Sequence, residues 1–469
     1  MASSLLFVAR AWSQLIAVIL LLVAGRFLNI NDFGEFTLAA AVALMLNQFM
    51  GIGTYEYVIR NAGERNAPTT AFWVNVLLAI AYILIGGLIA LASGKVFRSE
   101  RVMVLVMLMI PLSLPAGARS VAESVLVRDG RIGQLAITSI AVESLALAVG
   151  VGGLMTGWGV YSLVASRYVQ SGISAFIFLA VARWLPAIEY SKLQAREMMH
   201  LWRSMIVDRG LSYFQNYGAD LLLGAFMTPA AVAIYRIGAR IVALVTTIVY
   251  EPMRTINWRI LSLLHARHGA IQDSTELIIG CVYLVLVGPI VLLGLTGGDL
   301  ATIALGNQWH ETGMAIMLLC AAALLALPQQ LSEPAFGVAG AIKQLPLQRG
   351  ITLLVSLGLL LALARFGPVG AAASQMVAAA ISFIVTAVMQ NRVLGIHPRN
   401  YLRNMAYALL AGLVAGGAAE LVAHFTMTLS MRLRLPLMIV AGVAVYGVII
   451  LGLRRRPLLQ VLALAGEKV

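Results

Sequence analysis

Residues 71–92, A-F-W-V-N-V-L-L-A-I-A-Y-I-L-I-G-G-L-I-A-L-A, decide the fold because they contain no charged side chain. As a helix rising 1.5 Å per residue, about 20 such residues cross the ~30 Å hydrocarbon core of a bilayer. Comparable windows recur near residues 5–28, 36–59, 102–126, 132–156, 160–182, 205–227, 231–258, 274–296, 311–339, 349–366, 368–390, 401–424 and 433–453. The sequence therefore predicts an all-α polytopic membrane protein with about fourteen transmembrane helices.

The composition of the 469 residues excludes a soluble globular protein, because 61% are hydrophobic and 11% charged, whereas soluble proteins carry roughly a quarter charged residues. The net charge of +13 comes from arginines and lysines in short gaps between apolar runs, so it does not indicate a nucleic-acid partner. Cys281 and Cys320 both lie in apolar stretches. No disulfide framework, metal site or cofactor is expected from them.

The basic residues also predict the orientation of the chain. If the N-terminus is cytoplasmic, roughly twenty arginines and lysines fall in cytoplasmic gaps and roughly seven on the other side. Such a bias follows the positive-inside rule. We therefore expect a multi-pass protein of the bacterial inner membrane with both termini in the cytoplasm. Arg10 and Gln14 interrupt the first apolar run, which is interpreted as a spanning helix rather than a signal peptide.

An internal repeat is indicated when the chain is shifted on itself by 199 residues. The shift pairs Arg10 with Arg209, Ser13 with Ser212, Gly25 with Gly224, Phe27 with Phe226 and Phe36 with Tyr235. The fourth and tenth predicted helices also each carry two prolines. Because six helices form an even number, the two copies insert in the same orientation, as parallel repeats around a central cavity.

The predicted division of the chain follows from this repeat. It comprises an N-terminal six-helix bundle (1–182), a cytoplasmic amphipathic linker (183–204), a C-terminal six-helix bundle (205–392), and two extra helices with a cytoplasmic tail (393–469). The linker carries Lys192, Arg196 and Arg203 among leucines and methionines. It is interpreted as an interfacial amphipathic helix or as a solvated helix that joins the bundles.

The end of the first helix and the start of the second carry a short motif, Gly25, Arg26, Phe27, Leu28, then Asp32, Phe33, Gly34, Glu35, Phe36. This motif resembles the opening of polysaccharide-repeat-unit flippases, the O-antigen and exopolysaccharide branch of the multidrug/oligosaccharidyl-lipid/polysaccharide exporter superfamily. The resemblance implies a V-shaped pair of six-helix bundles. It also implies transport of an undecaprenyl-diphosphate-linked oligosaccharide to the periplasmic leaflet by alternating access.

Charged residues inside spans are costly and usually face a bundle interior or a water-filled cavity. Arginines at such positions suit a diphosphate, because guanidinium binds phosphate oxygens in a bidentate manner and stays charged. The candidate cationic cavity comprises Arg10, Arg209, Arg236 and Arg240. Alternatively, Asp220 pairs with Arg236 or Arg240 to hold helices together, while Arg10 and Arg209 extend to the cytoplasmic interface.

Acidic residues and prolines provide the other candidates. The carboxylates available for ion coupling or for pairing are Asp220, Glu123, Glu251 and Glu333, and Glu143 also lies within a predicted span. Arg119 and Glu123 stand at the i, i+4 spacing of an intrahelical ion pair. Prolines bend helices, so Pro111, Pro115, Pro328 and Pro334 are candidates for gating or simply for a local bend.

Two other functions compete with the flippase. A cation-coupled multidrug exporter of the same superfamily should carry an acidic, aromatic cavity, whereas arginines dominate here. A membrane polysaccharide polymerase or ligase usually places catalytic residues on a sizeable outer loop, and the predicted outer loops are mostly short. Because of these short loops, we expect a transporter rather than an enzyme. No nucleotide-binding glycine loop occurs, so ATP hydrolysis by this chain is not expected. Its expected partners are lipid-linked oligosaccharide, membrane lipids, and the polysaccharide polymerase and chain-length machinery.

Overall fold

The computed structural model describes residues 2–47, 51, 53–61, 63–64, 66–266, 271–341 and 344–466. These residues form helices joined by turns and short loops, and no strand occurs among them. The predicted all-α class is confirmed. The helices pack into two compact units, residues 1–233 and residues 234–469.

The first unit consists of α1 to α10 and the first turn of α11. Their bounds are α1 Ala2–Phe27, α2 Ile30–Asn47, α3 Thr54–Arg60, α4 Ala67–Val96, α5 Glu100–Met109, α6 Ser113–Arg128, α7 Ile132–Met155, α8 Tyr161–Arg167, α9 Ser174–Ala182, α10 Lys192–Phe226 and α11 Pro229–Ala266.

Two helices of this unit are interrupted locally. Pro111 has no backbone N–H, and a 3-10 turn at Ile110–Leu112 separates α5 from α6. A π-helical turn at Tyr168–Ile173 separates α8 from α9. Such turns shift backbone hydrogen bonds from i→i+4 to i→i+5 and are frequent at functional sites.

The predicted linker does not form a helix of its own. Ser191 caps α10 by accepting a hydrogen bond from the Gln194 N–H, and α10 then continues without a break to Phe226. The linker is held against α4, because Thr70 Oγ1 donates to Gln194 Oε1 at 2.8 Å. The predicted division of the chain into bundles and linker stays a prediction.

The buried phenol of Tyr57 on α3 lies near the same segment. Burial, together with the carboxylates of Glu64 and Glu197, raises the pKa of Tyr57 to about 12. A phenol is neutral at physiological pH even without this shift, so the raised pKa does not change its protonation state there.

The second unit consists of the rest of α11 and the helices that follow it. Their bounds are α12 Ile271–Leu305, α13 Thr312–Val338, α14 Leu345–Leu363, α15 Gly367–Met389, α16 Pro398–Phe425 and α17 Met431–Gly466. A π-helical turn, Gln390–Leu394, follows α15. Unlike Pro111, Pro328 and Pro334 do not interrupt their helix, α13.

Helix α12 is largely buried within this unit and packs against α13, α16 and α17. Gly288 allows close packing, because a Cβ there would lie 2.4 Å from the ring of Tyr446 on α17. Small residues commonly permit this approach between membrane helices. The Tyr446 hydroxyl donates to the Leu284 carbonyl at 3.0 Å. The last two helices are thus packed directly on the core of the unit.

Within the described residues, eleven helical segments are long and apolar enough to cross a membrane. One of them, Leu345–Leu394, contains both α14 and α15. These two helices run antiparallel. Gln348 of α14 bonds Thr386 of α15, and Thr352, one turn further along α14, bonds Ser382, one turn earlier on α15. Helices α2 and α10 are not among the eleven. The chain is a multi-pass membrane protein, and the number of about fourteen spans stays a prediction.

Candidate functional site: polar groups within the helices

The four arginines of the predicted cationic cavity occupy two kinds of position. Arg10 on α1 and Arg209 on α10 are exposed, as expected if they reach the membrane interface. Arg236 and Arg240 on α11 are half-buried and share one helical face, and both interact with neighbouring groups. The structure therefore places Arg236 and Arg240 one turn apart on α11, in the second unit, whereas Arg10 and Arg209 belong to the first.

Asp220 on α10 is fully buried, with 0% exposure, and it too interacts with neighbouring groups. Asp220 belongs to the first unit, whereas Arg236 and Arg240 belong to the second. The pairing of Asp220 with either arginine stays a prediction.

The other three acidic candidates each have an arginine partner. Glu123 Oε1 lies 2.6 Å from Arg119 Nε, the i, i+4 pair that the spacing predicts. Glu333 Oε1 on α13 lies 3.2 Å from Arg349 Nη2 on α14. Glu251 Oε2 lies 3.2 Å from Arg254 Nη2 on the same helix. Of the two possibilities for these carboxylates, coupling or pairing, the geometry favours pairing.

The first unit contains a charged network centred on Gln170, in the π-helical turn. The Gln170 amide accepts a bond from Arg167 Nη1 at 3.0 Å and donates to Glu143 Oε2 at 2.8 Å. Its backbone carbonyl accepts from Arg119 Nη1 at 2.6 Å. Since Arg119 also binds Glu123, a continuous chain of contacts joins α6, α7, α8 and the turn. We call these five side chains the Gln170 network.

The charges of the Gln170 network balance, because two arginines face two glutamates. Balanced pairs lower the cost of placing charge in a membrane span. The guanidinium of Arg119 also lies 5.0 Å from the ring centroid of Phe178, a buried residue of α9. This network is suited to holding helices together, and it offers no excess charge to a transported group.

The second unit contains a network of a different composition around the proline-bearing helix α13. Ser382 Oγ donates to Gln329 Oε1 at 2.6 Å and lies 2.9 Å from Thr352 Oγ1. Gln390, in the second π-helical turn, accepts from the Tyr401 hydroxyl at 2.8 Å and donates to Ser332 Oγ. These groups are hydroxyls and amides. They satisfy one another without a formal charge.

The motif on which the family resemblance rests forms a junction at one end of the first unit. Arg101, on the first turn of α5, contacts Asp32 and lies 3.5 Å from Glu35 Oε2. Gly34, between these acids, is required sterically, because a Cβ there would lie 1.8 Å from the carbonyl oxygen of Pro229. The motif thus joins the starts of α2, α5 and α11, which is a structural role.

Arg167 and Gln170 are the site residues that the sequence analysis missed. Arg167 stands inside the apolar window 160–182, so the rule that singled out other intramembrane charges applied to it as well. Gln170 carried no comparable signal. Its partners Arg119 and Glu143 lie on other helices and meet it only in the folded unit.

Comparisons with known proteins give a family and a fold. A family model described as polysaccharide biosynthesis protein matches residues 23–313, more than half of the chain. The succinoglycan biosynthesis transport protein ExoT of Rhizobium meliloti (strain 1021) is 29% identical over 175 residues, which are 36% of this chain and 34% of that protein. The match therefore spans about a third of the length of this curated relative.

Two solved structures share the fold at low sequence identity. The lipid II flippase MurJ in an inward closed conformation has a TM-score of 0.80 and 11% identity, covering 96% of this chain and 99% of that one. An inward-facing multidrug resistance MATE family transporter of the MOP superfamily has a TM-score of 0.62 and 14% identity, covering 80% and 94%. The helices described above therefore adopt the fold of these transporters.

Proposed function

We propose that this chain, which belongs to the polysaccharide biosynthesis protein family, is a lipid-linked oligosaccharide flippase. In this proposal it moves an undecaprenyl-diphosphate-linked repeat unit from the cytoplasmic to the periplasmic leaflet of the bacterial inner membrane by alternating access. The family, the similarity to a succinoglycan transport protein and the fold shared with a lipid flippase all support a transporter of lipid-linked sugars.

The observation that carries the proposal is the cationic face of α11. Arg236 and Arg240 are half-buried, one turn apart, within the apolar segment Pro229–Leu261. Glu251 is the only acidic residue of α11, it pairs with Arg254, and the helix carries four arginines. Two guanidinium groups at this spacing suit the two phosphates of a diphosphate.

The contrast with the Gln170 network strengthens this choice of site. Arg119 and Arg167 each donate a hydrogen bond to Gln170, and the charges of the Gln170 network balance. Helix α11 instead has an excess of positive charge. An anionic cargo would offset this excess positive charge, which is costly within a membrane span.

In this scheme the membrane potential drives the transport of the anionic cargo. One elementary charge that crosses the full potential gains roughly 2.3 kcal/mol per 100 mV. Coupling through the carboxylates Glu123, Glu251 and Glu333 has less support, because each of them binds an arginine.

The test uses cells that lack the gene for this chain and carry a plasmid copy. With the double variant Arg236→Gln/Arg240→Gln, we expect surface polysaccharide to fall at least about tenfold, since losing one charge-assisted phosphate contact costs on the order of 1.5 kcal/mol or more. The lipid-linked repeat unit should accumulate on the cytoplasmic leaflet. The matched control, Arg254→Gln/Arg259→Gln, removes the same charge from the same helix and should retain most export.

Three outcomes would contradict the proposal. Normal export by the Arg236/Arg240 double variant at normal membrane levels would exclude the cationic face as the cargo site. Equal loss in the control would mean that only the total charge of α11 matters. If cells without the protein instead display unpolymerised repeat units on the periplasmic leaflet, the chain acts after translocation, as a polymerase or ligase would.

A further inference from the structure

We propose that the last two helices carry a binding site for the headgroup of an anionic phospholipid, formed by Arg399 and Arg403 of α16 and Arg454, Arg455 and Arg456 of α17. We call these five residues the arginine collar. The site is separate from the cargo face of α11.

The collar is brought together by helix geometry. Arg399, Arg403 and Tyr407 are four residues apart, so they lie on one face of α16. The guanidinium carbon of Arg454 lies 3.9 Å from the centroid of the Tyr407 ring, a cation–π contact between α16 and α17. This contact places the arginines at the end of α17 beside those at the start of α16.

A break in α17 fixes where the collar stands. The backbone of Arg454 leaves the helical range, with φ −134° and ψ 26°, and the helix resumes beyond it. Leu458 and Val461, after the break, pack on Ile260 of α11 and Ile278 of α12. The arginines therefore stand at the break in α17, beyond which the helix packs on α11 and α12 of its own unit.

The collar has few counter-charges of its own. Arg399, Arg403, Arg455 and Arg456 are exposed, and in the described part of the chain none of them pairs with a carboxylate. Buried Glu276 of α12 reaches the start of α16, where its two oxygens accept bonds from the His397 N–H and the Asn400 amide, each at 2.6 Å. Exposed Asp273 lies one turn before Glu276 on α12.

A lipid fits this surface better than a soluble anion because apolar side chains adjoin the arginines. Leu451 and Leu453, just before the break, are 61% and 74% exposed, and Leu410 of α16 is 61% exposed. An anionic phospholipid provides both a phosphate for the collar and acyl chains for these leucines. The positive-inside bias predicts that this end is cytoplasmic, the leaflet surface where anionic lipids attract arginines.

The experiment measures lipid retained by the purified full chain. The detergent-solubilised protein is incubated with a 1:1 mixture of phosphatidylglycerol and phosphatidylcholine. The lipids that remain bound are then counted by native mass spectrometry. Each arginine near the surface should favour an anionic lipid by about fivefold. For Arg455→Gln/Arg456→Gln we therefore expect the retained phosphatidylglycerol-to-phosphatidylcholine ratio to fall at least tenfold. The control, Arg432→Gln/Arg434→Gln, removes two arginines at the other end of the same helix and should leave the ratio unchanged.

A second variant and a competitor complete the test. Tyr407→Leu removes the ring that orients Arg454 while keeping every charge, and we expect a smaller drop in the same ratio. Inorganic phosphate should not displace the retained phosphatidylglycerol. An unchanged ratio in Arg455→Gln/Arg456→Gln, an equal drop in the control, or displacement by inorganic phosphate would each overturn the proposal. Because the readout is bound lipid, it does not depend on whether the chain transports sugars.

Discussion

The two π-helical turns in the described part of the chain can be compared directly. Each carries a glutamine that is bonded to a proline-bearing helix of its own unit. The backbone carbonyl of Gln170 accepts a bond from Arg119 of α6, and the side chain of Gln390 donates to Ser332 of α13. The partners differ in charge, because Gln170 joins Arg119, Arg167 and Glu143, whereas Gln390 joins a serine and a tyrosine. A π-helical turn therefore supports an ionic network in one unit and a neutral network in the other.

This difference predicts how each unit responds to mutation. A charge that loses its partner inside a membrane protein remains costly, whereas a hydroxyl or amide that loses its partner costs less. Substitutions in the Gln170 network should therefore destabilise the protein more than matched substitutions around Gln390.

The largest effect is expected when one member of the Arg119–Glu123 pair is removed. Their side chains are 24% and 29% exposed. Arg119→Leu leaves Glu123 without its cation and should lower the free energy of unfolding by about 3 kcal/mol, the low end for a buried pair. Arg119→Leu/Glu123→Leu should recover most of that loss. Thermal unfolding of the purified protein in detergent measures both. If the double variant loses as much stability as the two single variants combined, the ionic account is contradicted.

A smaller effect is expected for Gln170→Leu, which keeps the side-chain volume and removes two hydrogen bonds to charged groups. Loss of bonds to ionised partners should cost about 2 kcal/mol. The same unfolding measurement applies. A change below the experimental error would show that Arg167 and Glu143 do not depend on the glutamine bridge.

The matched substitution in the second unit, Gln390→Leu, should cost about 1 kcal/mol because its partners, Tyr401 and Ser332, are neutral. The comparison rests on the order of the two variants. If Gln390→Leu destabilises the protein more than Gln170→Leu does, the distinction between the ionic and the neutral network fails.

The smallest effect is expected for Glu251→Gln on α11. Glu251 and Arg254 have side chains that are 50% and 42% exposed. Exposed ion pairs contribute about 0–1 kcal/mol, so both the unfolding temperature and polysaccharide export should stay close to wild type. A complete loss of export with normal stability would instead identify Glu251 as a coupling carboxylate.

The sequence predicted the fold class and the family well, for identifiable reasons. Apolar windows such as 71–92 reflect a physical requirement for about 20 residues per span, and this window lies within helix α4. The motif at residues 25–36 indicated the family, and the family model covers residues 23–313. The prediction of separate helices near 349–366 and 368–390 is confirmed by the antiparallel bonding of α14 and α15.

The sequence was less informative where structure depends on contacts between helices. The window 36–59 became α2, which ends at Asn47, and the separate short helix α3, which begins at Thr54. The window beginning at 205 became part of a helix that starts at Lys192. The π-helical turn at Gln170 has no recognised pattern in the sequence, because it is stabilised by Arg119, 51 residues away.

The central claim, that the arginines of α11 bind an anionic lipid-linked cargo, can be measured with purified protein in vesicles. The assay follows translocation of a fluorescent undecaprenyl-diphosphate-linked sugar across the bilayer. The wild-type chain should accelerate translocation, Arg236→Gln/Arg240→Gln should abolish the acceleration, and Arg236→Lys/Arg240→Lys should retain part of it, since lysine keeps the charge without the bidentate geometry. Equal rates for the wild type and the glutamine double variant would contradict the account.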